Sequence, residues 1–324
     1  MKKILIIALT LIMLVSVSAC GGGSAPASAA SDHPALAPSF EPTVLLFEGE
    51  NVSVPGDRGH TIPAVLTLPE GSGPFPVTIL VHGHAGNKDE GRAFVTLSSR
   101  LAEDGIASIR IDFPGCGDSE DDFITQYNVS NMLKDIQSAK TFVMADTRLD
   151  TSRLGIVGFS MGGRLVMLTT GVDSDFSVAV MWAPVSSRGP EGMFPVLSIT
   201  ERSEFDALHN TAKEEGSATY TFIAGYEFTH SRQWFDDMVE LDPADAFAGF
   251  RGDVMTIYGE LDWVVTPDDA RFAAEAAVNA NSSLLYEVQD ADHLFGAFGP
   301  ETDLSQSLLN RLVNRTVSFL RDNL

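Results

Sequence analysis

Residues 154–168 read Leu-Gly-Ile-Val-Gly-Phe-Ser-Met-Gly-Gly-Arg-Leu-Val-Met-Leu and place one serine, Ser160, between two apolar segments. Residues 154–157 are typical of a buried strand, and residues 160–170 have the apolar spacing of a helix. Ser160 lies in the pattern G-x-S-x-G, in which a sharp strand-to-helix turn lifts the serine off the sheet edge. Side chains at 158 and 162 would collide with neighbouring backbone, so both positions are glycine. The sequence predicts Ser160 as a nucleophile, with helix N–H groups near a developing oxyanion.

The rest of the chain, from about residue 43, alternates short apolar runs with helical segments. This alternation is typical of an α/β fold with a mostly parallel central sheet flanked by helices. The predicted strands cover residues 44–54, 61–68, 77–81, 106–111, 154–157, 178–182, 254–258 and 284–288. The interval at about 185–250 is far longer than a crossover connection requires, and it is rich in aromatic residues. We expect this interval to be an insertion in a domain spanning 43–324.

A serine hydroxyl needs a base, and the base needs an acid to orient it. His293 follows the last predicted strand and is the only histidine beyond position 230. Asp262 follows the preceding strand, at the carboxyl edge where parallel sheets assemble their sites. We therefore expect Ser160, Asp262 and His293 to act together. Asp262 could instead be only a turn former and His293 a surface loop residue, and the other candidate acids are Asp268, Asp269, Asp290 and Asp292.

The segment His82-Gly-His-Ala-Gly86 follows the strand predicted at 77–81. We expect the backbone N–H groups of His84 and Met161 to form an oxyanion hole. His82 and His84 could instead bind a metal, but no third ligand stands at suitable spacing, so no metal and no other cofactor is expected. Arg164 is expected to be a charge on a helix surface and Cys116 a small buried apolar residue.

The N-terminal residues have the order of an export signal. Met1-Lys-Lys3 precedes an apolar run at 4–17 and the small residues Ser18 and Ala19, followed by Cys20. This pattern predicts a signal peptide at 1–19 and a lipid on Cys20, although ordinary cleavage would leave a free thiol. Residues 20–42 are rich in small residues and proline, as in a flexible tether. We expect an exported lipoprotein, anchored on the extracytoplasmic side of a bacterial membrane.

Composition excludes several other classes of protein. A hydrophobic content of 44% with 20% charged residues is unlike a disordered chain. The 44 acidic residues outnumber the 21 basic residues, and the net charge of −23 would repel nucleic acid. Two cysteines could form at most one disulfide, so the fold does not depend on a disulfide framework.

These motifs together resemble those of a known family. The segments 82–86, Asp112-Phe-Pro-Gly-Cys-Gly-Asp-Ser119, 158–163, Gly259-Glu-Leu-Asp-Trp-Val264 and Ala291-Asp-His293 are similar to motifs of bacterial α/β-hydrolase esterases, notably the feruloyl or cinnamoyl type. The order Ser160, Asp262, His293 also matches that fold. The resemblance implies that the insertion is a lid subdomain over an aromatic acyl pocket.

On this resemblance we expect a serine carboxylesterase that acts on small-molecule esters, with aromatic or short acyl groups. Two alternatives use the same fold: a peptidase or acyl-thioesterase with the same three residues, and a surface lipoprotein that binds a ligand without catalysis.

Overall fold

The computed structural model describes residues 47–324, so the predicted signal peptide, Cys20 and the tether at 20–42 lie outside the described residues. The strands in chain order are β1 (Glu50–Pro55), β2 (Thr61–Thr67), β3 (Phe75–Val81), β4 (Ala107–Ile111), β5 (Leu149–Phe159), β6 (Phe176–Trp182), β7 (Ser217–Thr221), β8 (Glu227–Ser231), β9 (Asp253–Gly259) and β10 (Ser282–Val288). Of the first strand, predicted at 44–54, residues 44–46 lie outside the described residues, and β1 covers Glu50–Pro55. The other predicted strands are all present, with ends shifted by a few residues.

Eight of these strands form one sheet in the spatial order β1-β2-β4-β3-β5-β6-β9-β10. β2 pairs antiparallel with β1 and with β4. The remaining pairs of this sheet, β4–β3, β3–β5, β5–β6, β6–β9 and β9–β10, are parallel. Central side chains such as Ile79, Leu80, Val180 and Met181 are all 0% exposed. Both faces of these strands are covered, which explains why they are continuous apolar runs in the sequence.

Helices connect the strands and cover the sheet. They are α1 (Ala93–Glu103), α2 (Phe123–Gln126), α3 (Val129–Met144), α4 (Met161–Thr170), α5 (Arg202–Glu215), α6 (Arg232–Glu240), α7 (Pro243–Phe247), α8 (Pro267–Ala276) and α9 (Asp303–Asn323), with a 3-10 turn at Glu191–Met193. Side chains that accept backbone N–H groups begin several of them, as Asn128 does for α3. Among residues 47–324, no helix has the length and apolar character needed to cross a bilayer.

The segment between β6 and β9 has its own secondary structure. It contains α5, α6 and α7 and the antiparallel pair β7–β8, which we call the insertion hairpin. Its buried face includes Ala218, Tyr220 and His230, because alternate residues of a strand point to the same side. Thr219 and Thr229 lie on the other face, where their hydroxyl oxygens are 2.8 Å apart.

The prediction that Arg164 is a charge on a helix surface is wrong. Its side chain on α4 is fully buried and donates to the carbonyl oxygens of Ser187 (2.9 Å) and Leu241 (2.7 Å), near the two ends of the insertion. Burial lowers the pKa of the guanidinium to about 10. Arg164 therefore attaches the insertion to the core. Cys116 is buried, as expected.

Candidate active site

Ser160 stands at a strained turn between β5 and α4. Its φ of 54° is unusual for a residue with a side chain, and its N–H donates to Trp182 O at 2.8 Å. A Cβ atom at Gly158 would lie 2.3 Å from Gly162 O, and one at Gly162 would lie 2.1 Å from Val81 O. Such a turn costs about 1–3 kcal/mol and persists only because the surrounding packing fixes it. The backbone thus holds the hydroxyl at the carboxyl edge of the sheet.

His293 and Asp262 reach Ser160 from the loops that follow β10 and β9. His293 Nε2 is 3.2 Å from Ser160 Oγ, and His293 Nδ1 is 2.8 Å from Asp262 Oδ2. The carboxylate at Nδ1 favours the tautomer with the proton on Nδ1, which leaves the Nε2 lone pair facing the serine. The other carboxylate oxygen, Oδ1, accepts the N–H groups of Val264 and Val265 at 2.9 Å each. The structure therefore brings the three predicted residues into one hydrogen-bonded series.

The four other candidate acids have different partners. Asp269 caps the start of α8, and Asp292 accepts a backbone N–H within its own turn. Asp268 pairs with a surface arginine, and Asp290 lies at a left-handed φ of 61° in the turn after β10. None of the four hydrogen-bonds to His293 in the described part of the chain.

The loop after β3 presents the predicted oxyanion donor. His82 Nδ1 donates to Gly83 O at 2.8 Å, and His82 Nε2 accepts the N–H of Phe113 at 3.1 Å. Carbonyl and N–H point in opposite directions across a trans peptide, so fixing Gly83 O also fixes the direction of the His84 N–H. Burial lowers the pKa of His82 to about 4, which keeps the ring neutral and able to make both contacts.

The second predicted donor is the N–H of Met161, the first residue of α4. Such N–H groups have no partner within their own helix and are available to a ligand. Within residues 47–324, neither the Met161 nor the His84 N–H donates to a protein acceptor. Both donors are therefore free to bind an anionic oxygen.

Three residues that the sequence interpretation did not assign also hold this loop. Glu90 accepts the N–H of Gly83 at 2.6 Å, and the Tyr127 hydroxyl accepts the N–H of Ala85 at 2.8 Å. Lys88 bridges Asp112 (2.6 Å) and Asp118 (2.7 Å), which ties the loop to the one after β4. The charged residues beside the 82–86 and 112–119 motifs could have indicated a supporting role. Their partners could not be predicted from the sequence, because these contacts link distant parts of the chain.

Glu90 is only 4% exposed, and this burial raises the pKa of its carboxyl to about 8. The site places a serine hydroxyl beside an imidazole and near two backbone N–H groups. Within residues 47–324, no group of three or more His, Cys, Asp or Glu side chains has an arrangement that could hold a metal ion.

Comparison with known proteins finds relatives that are hydrolases. Residues 78–302 match the model of the alpha/beta hydrolase family. The esterase EstD of Thermotoga maritima is 23% identical over 262 residues, which cover 76% of this chain and 60% of EstD. The chain thus spans less than two thirds of that relative.

Two solved structures share the fold. Est1E of Butyrivibrio proteoclasticus, solved with ferulic acid bound, has a TM-score of 0.68 at 17% identity and covers 84% of this chain and 98% of its own. The esterase domain of a Rhodothermus marinus protein has a TM-score of 0.62 at 18% identity, with coverages of 85% and 98%. These likenesses confirm the predicted α/β-hydrolase fold. Since the family match spans more than half of its residues, the chain belongs to the alpha/beta hydrolase family.

Proposed function

We propose that this protein is a serine carboxylesterase in which Ser160, His293 and Asp262 carry out catalysis. The observation that carries the proposal is the hydrogen-bonded series from Asp262 through His293 to Ser160, with the serine at a strained turn. An imidazole that accepts at Nε2 can remove the serine proton as the oxygen attacks a carbonyl. Esterases among its homologues are consistent with this chemistry.

The proposed reaction has two stages. Ser160 Oγ attacks the ester carbonyl while His293 takes its proton, and the N–H groups of His84 and Met161 stabilise the oxyanion. His293 then protonates the departing alcohol, which leaves an acyl group on Ser160. Water, deprotonated by His293, releases the acid and restores the serine. The Asp262 carboxylate stabilises the imidazolium in both stages.

For the substrate, we propose an ester with an aromatic acyl group of the cinnamoyl or feruloyl type, or with a short acyl group. The support is a pair of half-buried rings of the insertion: Phe222 and Phe228 both lie about 6 Å from the ring of His84. His84 belongs to the loop at 82–88, which we call the oxyanion loop. Aromatic side chains offer large apolar contact areas to a flat ligand. The structural relative Est1E was solved with ferulic acid bound.

A fluorophosphonate probe tests the proposal, because it reacts only with an activated serine. We expect labelling of the wild type and hydrolysis of p-nitrophenyl acetate and methyl ferulate, both lost in Ser160→Ala. Ser198 offers a matched control, since it has a similar φ of 53° but is exposed. Ser198→Ala should retain both activities. Labelling without ester turnover, but with cleavage of thioesters or peptides, would favour those substrates, and absence of labelling would favour a binding module.

We also propose export and lipid attachment at Cys20, on the evidence of residues 1–20 alone. In this arrangement residues 20–42 would tether the hydrolase domain to the outer side of the membrane that carries the lipid.

A further inference from the structure

A buried polar bridge joins the insertion hairpin to the oxyanion loop. Tyr220 Oη lies 3.1 Å from His84 Nε2 and 3.0 Å from His230 Nε2, and the two Nε2 atoms are 3.4 Å apart. Tyr220 is 5% exposed and His230 is 0% exposed. The contact between His84 and Tyr220 spans 136 positions in the sequence. The bridge therefore links two elements that are independent along the chain.

The protons of the bridge determine how it works. Tyr220 has one hydroxyl proton, so it donates to one imidazole and accepts from the other. Burial lowers the pKa of His84 to about 3 and that of His230 well below its usual value, so both rings stay neutral. The Nδ1 atoms of both rings are buried without a hydrogen-bond partner in the described structure. Tyr220 thus provides the main polar contact that either ring has.

A second connection runs through Tyr127. Its hydroxyl accepts the N–H of Ala85 at 2.8 Å, and its ring stacks on His230 with centroids 5.6 Å apart and planes inclined by 16°. Trp234 stacks on His230 at 4.4 Å and 13°. Two successive residues of the oxyanion loop, His84 and Ala85, are therefore held by rings that pack on the hairpin.

We propose that Tyr220 and His230 are positioning residues for the oxyanion hole, acting through the side chain of His84 on its backbone N–H. The inference rests on the proposed function, because it assigns that N–H to the transition state. A donor must already be in place when charge develops, and a loop held on both sides loses less entropy in the reaction. The insertion would then contribute to the rate as well as covering the site.

Tyr220→Phe tests the proposal, because it removes the bridging oxygen and keeps the ring. We expect kcat for p-nitrophenyl acetate to fall by about 10- to 100-fold, less than the loss of a whole oxyanion donor, with KM nearly unchanged. A boronic acid, which mimics the tetrahedral adduct, should bind more weakly by the same factor as kcat/KM falls. Tyr226→Phe is the matched control, since Tyr226 lies in the turn of the same hairpin and is 60% exposed. It should match the wild type.

A double-mutant cycle identifies the route of the effect. His84→Phe keeps the backbone N–H and removes the imidazole, so it should cost about as much as Tyr220→Phe. The double variant should cost no more than either change alone. Additive losses would overturn the proposal, as would wild-type kcat and boronic acid affinity in Tyr220→Phe.

A measurement without substrate separates this inference from the proposed function. Hydrogen exchange of the peptide spanning 82–88 should be faster in Tyr220→Phe than in the wild type and unchanged in Tyr226→Phe. If wild type lacks activity but shows this difference, the proposed function fails and the coupling of hairpin to loop stands. If the wild type is active and exchange is the same in all three proteins, the positioning role fails.

Discussion

Replacing Asp262 with Asn tests the proposed catalytic series at its acid, whose side chain is buried. Asp262 Oδ1 accepts two backbone N–H groups, and Oδ2 faces His293 Nδ1 at 2.8 Å. In Asp262→Asn, the amide oxygen should stay on the two N–H donors, because the NH₂ group would repel them. The NH₂ group would then donate to His293 Nδ1. This would move the ring proton to Nε2, where it faces Ser160 and blocks its deprotonation.

The expected loss follows from that change of tautomer. In a Ser-His-Asp series, the wrong tautomer lowers kcat by about 10⁴-fold, or about 5 kcal/mol of transition-state stabilisation. The fold should survive, since Asn fills the same volume and keeps both backbone hydrogen bonds. Initial rates with p-nitrophenyl acetate measure the loss, and circular dichroism and thermal unfolding check the fold. Fluorophosphonate labelling should slow in parallel.

Asp292→Asn is the control for this prediction. Asp292 is exposed, adjoins His293 in the chain and accepts the N–H of Leu294 at 3.0 Å. Its replacement should change kcat by no more than about twofold. A loss of less than tenfold in Asp262→Asn would refute the assignment of the acid. A large loss in Asp292→Asn instead would transfer the role to Asp292.

Three further predictions concern stability and location. Glu90→Gln should flatten the pH dependence of unfolding: burial raises the pKa of Glu90 from 4.5 to about 8, so the folded state keeps a proton that the unfolded state releases. The free energy of unfolding of the wild type should therefore fall by on the order of 4 kcal/mol between those pH values. Urea unfolding at pH 5 and pH 9 measures this fall, and an equal fall in Glu90→Gln would contradict the prediction. Lys88→Met leaves Asp112 buried without its cation and should lower the free energy of unfolding by about 3–5 kcal/mol, whereas Lys134→Met on an exposed position should not. Cys20→Ser should move the protein from the membrane to the soluble fraction, and retention in the membrane would contradict lipid attachment there.

The sequence was sufficient to predict the sheet and the order of the catalytic candidates. Buried parallel strands are continuous apolar runs, so β3, β5, β6 and β9 were visible without any structure. Side chains that follow such strands meet at one edge of the sheet. Ser160 follows β5 directly, and Asp262 and His293 lie in the loops just after β9 and β10, which is why their proximity could be anticipated from their positions.

The attachments of the insertion could not be predicted in this way. Arg164 has the helical spacing of a surface residue, and only the chain that folds over α4 makes it buried. Tyr220 and His230 stand in a segment with weak periodicity, and their partner His84 is more than 130 positions away. The local sequence pattern indicates secondary-structure propensity and the buried face of a helix or strand. It does not indicate which polar groups from distant parts of the chain will form contacts.

These attachments limit how a substrate can reach Ser160, which is only 4% exposed. Arg164 holds the ends of the insertion, the hairpin binds His84, and Asp237 on α6 accepts the N–H and hydroxyl of Ser130 on α3 at 2.8 Å each. Separating the whole insertion from the core would exchange all of these hydrogen bonds for bonds to water, at about 0.5–1.5 kcal/mol each, and would also expose apolar surface. A movement confined to one part of the insertion would keep some of these contacts and would cost less. Substrate entry by local movement is therefore favoured over displacement of the entire insertion.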